Sequence, residues 1–591
     1  MTNPQSSPNL ISLPTPAGLQ AMDELTRRRW FFIGFNLVLY VVMASFLANL
    51  LGKDHWALPD IGIFLCFLVM LPWSVLGFTN ASLGLWLLHG RKGGLEAAAP
   101  FVMAGQGDAP IIARTALVMT LRNEDAARAI NRLRCMAEAL QASGQGDAFA
   151  FFVLSDSSDA AIVADEARIC ADWPRVRYRR RTDNSGYKAG NIRDFCEQFG
   201  ADFDFMLPLD ADSLMSAQAI LQLVRMGQAH PKIGIVQSLV VGAPANSAFA
   251  RLFQFGMRHG MRPYSMGSTW WSGDCGQFWG HNALVRIKPF LDHCALPELP
   301  GRPPFGGAIL SHDQVEAAWM RAAGFEVRVL PVESESFEDN PPNFLEFARR
   351  DQRWCAGNMQ YGPLLRWPGL LPTSRFQLLW AMTMFIGLPA LNLLLVFAAL
   401  RGLNPQAVPA SVLFEAKLFY VAVLGLLVFP KLAGFVDVAI TRGEVARYGG
   451  AWRFGVGAAC ELVFSFLVSA ITSFCTTLFL LRLPFGGRAI WSGQSRDAAH
   501  LPLAQVVRAL WPATLFGLGL WLMLAWRAPA LIGWSLPFTA GLVLAIPLTL
   551  VSAAGAFGEV LKAHKICAMP EEFHAPDILA ALARTPSLER L

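Results

Sequence analysis

Two aspartates one residue apart close an apolar run in Leu209-Asp210-Ala211-Asp212-Ser213. Residues i and i+2 of an extended chain project from one face, so the two carboxylates offer hard oxygen donors side by side. That pair suits Mg2+ or Mn2+ bridging a diphosphate, since such ions take a few carboxylates and complete their shell with phosphate oxygens. The bland alternative is a solvated turn. Leu154-Ser155-Asp156-Ser157-Ser158-Asp159 follows a second apolar run. Its acids either end a strand and cap the next helix, or Asp156 hydrogen-bonds the uracil or ribose of a nucleotide. Ser311-His312-Asp313-Gln314 opens an amphipathic segment with Val315, Ala318, Trp319 and Ala322 on its inner face. Ser and Gln three apart form a capping-box pattern. Asp313 then lies in a first turn, where the helix dipole favours its ionised form. It is either a helix-end acid or a base able to take a proton from a hydroxyl. Arg350-Asp351-Gln352-Arg353-Trp354 joins two guanidinium groups to an indole just ahead of a long apolar run. Alone it reads equally as a juxtamembrane basic patch with an interfacial anchor.

These groups need a scaffold. Residues 100–365 carry charges throughout, and short apolar runs at Thr115–Met119, Phe149–Leu154, Phe203–Leu209, Ile233–Val240 and Phe325–Leu330 predict strands. Ala126–Leu140 predicts a helix, with Ile130, Leu133 and Leu140 at helical spacing. Alternating strands and helices predict a mostly parallel, Rossmann-like α/β sheet. Polar and acidic residues follow several strands directly, where open α/β sheets bind their ligands.

The flanks are of another kind. The chain has 591 residues, 54% of them hydrophobic and 16% charged, a composition on the membrane side of a soluble average. Trp30–Leu51 and 61–88 are long enough to cross a hydrocarbon layer of about 30 Å. Arg27, Arg28 and Arg29 before the first, and Arg91 and Lys92 after the second, place the tail 1–29 and the segment 100–365 in the cytoplasm by the positive-inside rule. Apolar runs resume at 376–400, 413–438, 454–482, 512–528 and 530–553. Lys562 and Lys565 near the end argue for a cytoplasmic C-terminus, so 454–482 is read as an interfacial or re-entrant segment with Arg453 and Glu461 near its start. The expected order is spans in 30–90, the enzyme domain 100–365, two spans in 372–440, an interfacial helix and loop in 441–510, two spans in 511–554 and a cytoplasmic tail 555–591. That gives six spans, with seven or eight as alternatives. Ten scattered cysteines form no Cys-x-x-Cys pair, which excludes zinc-knuckle and thioredoxin-like readings. The net charge of +5 requires no nucleic-acid partner.

Taken together, Asp156, Asp210/Asp212, Asp313 and Arg350-x-x-Arg353-Trp354 resemble, in order, the motif series of the processive family 2 glycosyltransferases, which include cellulose and hyaluronan synthases. Further matches at Trp279-Gly-His-Asn282, Leu310-Ser-His-Asp313, Arg353-Trp-Cys355 with Gly357-Asn358, Trp491 with Gln494 and Arg496-Asp497, and Pro570-Glu-Glu572 resemble the branch that makes osmoregulated periplasmic glucans in Gram-negative bacteria. Thr120 departs from the proline usual before the Asn-Glu pair. The resemblance implies a GT-A-type domain inserted in a polytopic bundle of the bacterial inner membrane. It implies an inverting glucosyltransferase that polymerises UDP-glucose into a β-1,2-linked backbone and helps export it. Asn123, Glu124, Asp156 and Lys188 would surround the nucleotide, Asp210 would meet the nucleotide sugar and metal, and Asp212 would hold Mg2+ (or Mn2+). Asp313 would be the base, Arg350, Arg353 and Trp354 would bind diphosphate and frame the acceptor, and Trp279 and His281 would lie near the sugar. Trp491, Gln494 and Arg496 would belong to a gating-like loop. The implied partners are the growing β-glucan, the lipid bilayer and a periplasmic glucan-processing protein (glucans biosynthesis protein G). A cellulose-like or surface-polysaccharide synthase shares every one of these catalytic residues and stays open. So does a non-catalytic nucleotide-sugar-binding transporter.

Overall fold

The computed structural model describes residues 16–53, 56–402, 408–487 and 501–584. Between the second and third long apolar helices lies one eight-stranded sheet: β1 (Thr115–Leu121), β2 (Phe149–Ser155), β3 (Val176–Arg180), β4 (Phe205–Leu209), β5 (Leu214–Met215), β6 (Ile233–Gly242), β7 (Ala283–Arg286) and β8 (Glu326–Glu338). Their order is β3-β2-β1-β4-β7-β6-β8-β5. The β3-β2-β1-β4 half is parallel, β7 runs antiparallel between β4 and β6, and β6 and β8 pair in parallel.

The central strands are buried on both faces, which is why they read as continuous apolar runs rather than alternating ones. Along β1, Leu117, Met119 and Leu121 face one core with helices Ala126–Ala142 and Ala217–Ala229. Ala116 and Val118 face the other, with Phe195 of helix Tyr187–Phe199 and Phe152 of β2. All five expected strands and the expected helix form with starts within two residues of those expected, but β8 runs eight residues past its expected end at Leu330. The other strands escape a periodicity reading because β5 and β7 are only two and four residues long, and because edge strand β3 is Val-Arg-Tyr-Arg-Arg.

Among the described residues six helices are long and apolar enough to cross a membrane: Glu24–Leu51, Leu58–His89, Pro372–Arg401, Ala410–Ile440, Ala451–Phe485 and Leu503–Arg527. The pair Pro529–Val543 and Ala545–Ala553 passes the same test together but is bent by 61°. The helix covering 454–482, expected on the interface, thus has the length of a span, and it touches the sheet domain at two places. Near its start Phe454 packs on Phe255, and further along Phe464 meets Phe249. Towards its end Thr476 donates to Asp351 at 2.8 Å, and Phe479 and Leu483 pack with Cys355 and Ala356. Both halves of this helix therefore touch helices of the sheet domain.

Helix Ala248–Ser272 couples the sheet domain to the bundle through close backbone approaches. A Cβ on Gly84 would fall 1.7 Å from Pro263 O, on Gly267 2.0 Å from Asn80 O, and on Gly434 1.9 Å from His259 O. Small residues at such crossings let helix axes approach, the usual packing device in bilayers. The first long helix and the C-terminal segment both bind the sheet domain. Arg29 bonds Ser272 O and Asp274. The C-terminal segment returns with Glu571 on Arg258 at 2.6 Å, Glu572 on Arg251 at 2.8 Å, and Ile578 in the sheet-domain core.

Candidate active site

The acidic residues occupy strand ends on one edge of the sheet. At the end of β2 the Asp156 carboxylate is 4% exposed and takes a bidentate pair from Arg181, Nε to Oδ1 at 2.6 Å and Nη2 to Oδ2 at 2.9 Å. Arg181 also donates to Tyr187 O at 2.6 Å and Asp194 at 3.0 Å. Burial alone would ease proton loss from this guanidinium, but Asp156 and Asp194 together outweigh it and its pKa rises. Asn123, in the left-handed region at φ 57°, accepts from the Ser158 and Asp159 amides at 2.8 and 3.0 Å. It thereby stitches the end of β1 to the end of β2, and half-buried Glu124 follows it. Asp159 caps helix Ala160–Ala171 through Ala161 N, so the helix-cap reading holds for that acid.

At the end of β4, Lys188 Nζ binds Asp210 and donates to Gly280 O at 2.9 Å. Gly280 is at φ +78°, and a Cβ added there would meet Asp313 Cβ at 3.4 Å, Asp313 Oδ2 at 3.8 Å and Lys188 Nζ at 3.8 Å. Asp313 and Lys188 thus meet at one glycine, and Lys188 brings Asp210 to it. Tyr187 O, bound by Arg181, is one residue from Lys188, which ties Asp156 to the same cluster. Asp212 is 7% exposed, and its Oδ2 accepts the Asp339 amide at 3.3 Å.

Asp313 begins helix His312–Ala322 as expected, but the capping box is not formed. Gln314 instead donates to Phe278 O at 3.2 Å. Beside it, burial of the His312 ring is outweighed by Glu316, 3.0 Å away, and the imidazole pKa rises. The loop Trp279–Asn282 is clamped by Gln237, which accepts from Trp279 N at 2.8 Å and donates to His281 O at 3.0 Å. Asn282 donates to Ser336 Oγ at 2.9 Å. His281 Nε2 faces Glu338 at 3.5 Å. Burial pushes the Glu338 carboxyl up, and it lies among the charges of His281, Arg350, Asp212 and Asp210. Helix Phe344–Met359 carries the basic motif. The Arg350 guanidinium stacks on Trp354 at 4.7 Å, and Trp354 is 47% exposed. Arg353 is half-buried one residue earlier. Trp491, Gln494 and Arg496 lie outside the described residues.

Sequence reasoning missed Arg181, Gln237, Glu338 and Asp339. Gln237 and Ser238 did leave a signal, a polar pair inside the fully buried strand β6, where a polar residue must find partners. The others carry no local signature, because their partners are remote in sequence.

Residues 205–430 match the family described as Glycosyl transferase family group 2. Glucans biosynthesis glucosyltransferase H of Caulobacter vibrioides is 35% identical over 541 residues, covering 87% of this chain and 80% of that protein. The Pseudomonas putida protein of the same name is 35% identical over 599 residues, covering 97% of this chain and 68% of that one. A solved mannosyltransferase from Pyrobaculum calidifontis, in complex with GDP-Man and Mn2+, covers 61% of this chain at 14% identity and TM-score 0.34, too loose a match to carry any detail over. The sheet domain is of GT-A type, held in a bundle of long apolar helices, and the chain belongs to the glucans biosynthesis glucosyltransferase H family of glycosyltransferases.

Proposed function

We propose that this protein is an inverting glucosyltransferase of the bacterial inner membrane that transfers glucose from UDP-glucose to a growing β-1,2-glucan and helps export it. The observation that carries this reading is the meeting of Asp313 and Lys188 at Gly280, with Asp210 bound to Lys188 and Asp156 linked to it through Arg181 and the Tyr187 carbonyl.

In this reading Asp156 and Arg181 receive the uracil and ribose, with Asn123 and Glu124 lining the same strand ends. Lys188, Arg350 and Arg353 place fixed positive charge where the diphosphate leaves, an arrangement that acts most strongly on developing charge. Among the described residues no group of three or more His, Cys, Asp or Glu side chains forms a ready-made metal cage. Asp210 and Asp212 nevertheless fit Mg2+ or Mn2+, which such sites hold by one or two carboxylates plus substrate phosphates. When bound, the ion supplies Lewis-acid neutralisation of the leaving diphosphate. Asp313 accepts the proton of an acceptor hydroxyl as its oxygen attacks the anomeric carbon. The bond from that carbon to the UDP oxygen breaks in the same displacement, and configuration inverts. Trp279, His281 and Trp354 frame the sugar and the acceptor.

In this reading Ala451–Arg482 follows an interfacial course, touching helices of the sheet domain at both halves. The remaining apolar segments then cross six times, with the bent pair as the last crossing, both termini cytoplasmic and the glucan delivered to the periplasm, where glucans biosynthesis protein G would act on it. Membrane vesicles given labelled UDP-glucose and Mg2+ should release UDP and accumulate a β-1,2-linked polymer. Asp313→Asn should lower UDP release by roughly 10²–10⁴-fold while UDP still binds, the range of a lost general base. A different linkage would reassign the protein to another polysaccharide synthase, and turnover unchanged by Asp313→Asn would remove the proposed base.

A further inference from the structure

Asp212 is held from outside its own motif. Its main-chain carbonyl accepts from Arg132 Nη1, and its Oδ2 accepts from the main-chain N–H of Asp339 at 3.3 Å. The two holders are themselves joined, because Arg132 Nη2 donates to Asp339 Oδ2 at 2.7 Å. Arg128 Nη2 reaches the same oxygen at 2.8 Å. Three segments remote in sequence therefore meet at one residue: helix Ala126–Ala142, the loop after β4, and the residue that follows β8.

The charge is placed where it must be satisfied. The Arg132 and Asp339 side chains are 4% and 14% exposed, and a buried arginine beside a carboxylate is stable only with its fork engaged. Here one arm of the fork engages the Asp339 carboxylate and the other the Asp212 backbone. Rotation of the Asp212 peptide would break its carbonyl bond from Arg132, and withdrawal of Asp339 would break both the pair with Arg132 and the amide bond to Asp212 Oδ2. The helix carrying Arg132 is braced from behind, since Ile578 joins the same core cluster and Leu579 and Leu582 pack against it.

We infer that Arg132 and Asp339 are positioning residues that fix the direction of the Asp212 carboxylate and so set the affinity of the site for its divalent cation. This rests on the reading that Asp212 holds that cation. Partners that orient a metal-binding carboxylate are worth roughly 10–100-fold in metal affinity when removed.

The test uses the full chain purified in detergent, with Mn2+ as the probe in the presence of UDP. Free Mn2+ is read by electron paramagnetic resonance, alongside the Mn2+ concentration for half-maximal turnover, KM for UDP-glucose, and the thermal unfolding midpoint. Arg132→Lys, which keeps the charge and one donor, and Asp339→Asn, which keeps the amide bonded to Asp212, should each weaken Mn2+ binding by roughly 10-fold or more. The Mn2+ requirement should rise in parallel, with KM for UDP-glucose at saturating Mn2+ nearly unchanged. Arg132→Met should lose more than Arg132→Lys. A lowered unfolding midpoint with unaltered Mn2+ affinity would make the pair structural only and overturn the inference. Parent protein with no divalent-cation requirement would instead overturn the assignment of Asp212 itself, and the two failures are told apart by measuring the parent first.

Discussion

The ends of β2 and β4 begin from the same sequence feature, an acid following an apolar strand, and finish as opposite devices. Asp156 is closed, with both oxygens spent on Arg181 and that guanidinium spent in turn on Asp194 and Tyr187 O. Asp210 is open, its side chain 38% exposed and paired with Lys188, which is 22% exposed. A bidentate arginine fork gives a fixed geometry, whereas a lysine ammonium is a mobile point charge. In the proposed reading the closed end meets the nucleoside of UDP by fixed geometry, and the open end meets its diphosphate, where charge develops during transfer.

That contrast can be broken most forcefully at the buried pair. Arg181→Met strands the Asp156 carboxylate in the protein and should cost about 3–5 kcal/mol of stability, seen as a large fall in the denaturant midpoint of the purified protein. Adding Asp156→Asn should restore part of that loss. Lys188→Met should do the reverse, lowering turnover strongly while changing stability by about 1 kcal/mol or less, as for other partly exposed pairs. Equal destabilisation by the two single variants would end the distinction.

A smaller effect tests the convergence at the open end. Gly280→Ala puts a methyl 3.4 Å from Asp313 Cβ on a backbone at φ +78°, where a side chain costs about 1–2 kcal/mol. At that distance the methyl only touches Asp313, so the strain falls on the backbone whose Gly280 carbonyl holds Lys188, and turnover should fall more than the unfolding midpoint suggests. Activity at the parent level would mean that the geometry around Gly280 is not the catalytic one.

The smallest effect sharpens the comparison with a third acid. Asp351, next to the basic motif, takes a hydroxyl donor from Thr476, and burial pushes its carboxyl up to about 6 from an ordinary 3.8. The folded protein then holds a proton that the unfolded chain has released between those values, so this group makes stability fall as pH rises from about 4 to about 6. Asp351→Asn should flatten that part of the profile of unfolding midpoint against pH and leave the protein no less stable at pH 7.5. An unchanged profile would show that Asp351 is ionised in the fold.

Much of the fold was legible because its signals are local. Continuous apolar runs marked β1, β2, β4, β6 and β8, and helical spacing marked 126–140. Acids placed directly after strands marked Asp156, Asp210 and Asp212. What stayed hidden depends on partners far along the chain. Nothing near residue 181 says that an arginine will close on Asp156, and nothing near residue 132 says that it will reach Asp212 and Asp339. The hydropathy of 454–482 gives it the length of a span, and only its contacts with Phe249, Phe255, Asp351 and Cys355 show both halves against the sheet domain. Even the His312 capping region read correctly as a helix start and wrongly as a box, because Gln314 found a better acceptor in Phe278 O.

By itself the sequence determined which segments are apolar, which strands are buried on both faces, and which acidic and basic residues are available, since periodicity and composition act within a few residues. Tertiary structure alone decided which of those charges are paired and which stay open, because ion pairing depends on distances between segments that only packing brings together.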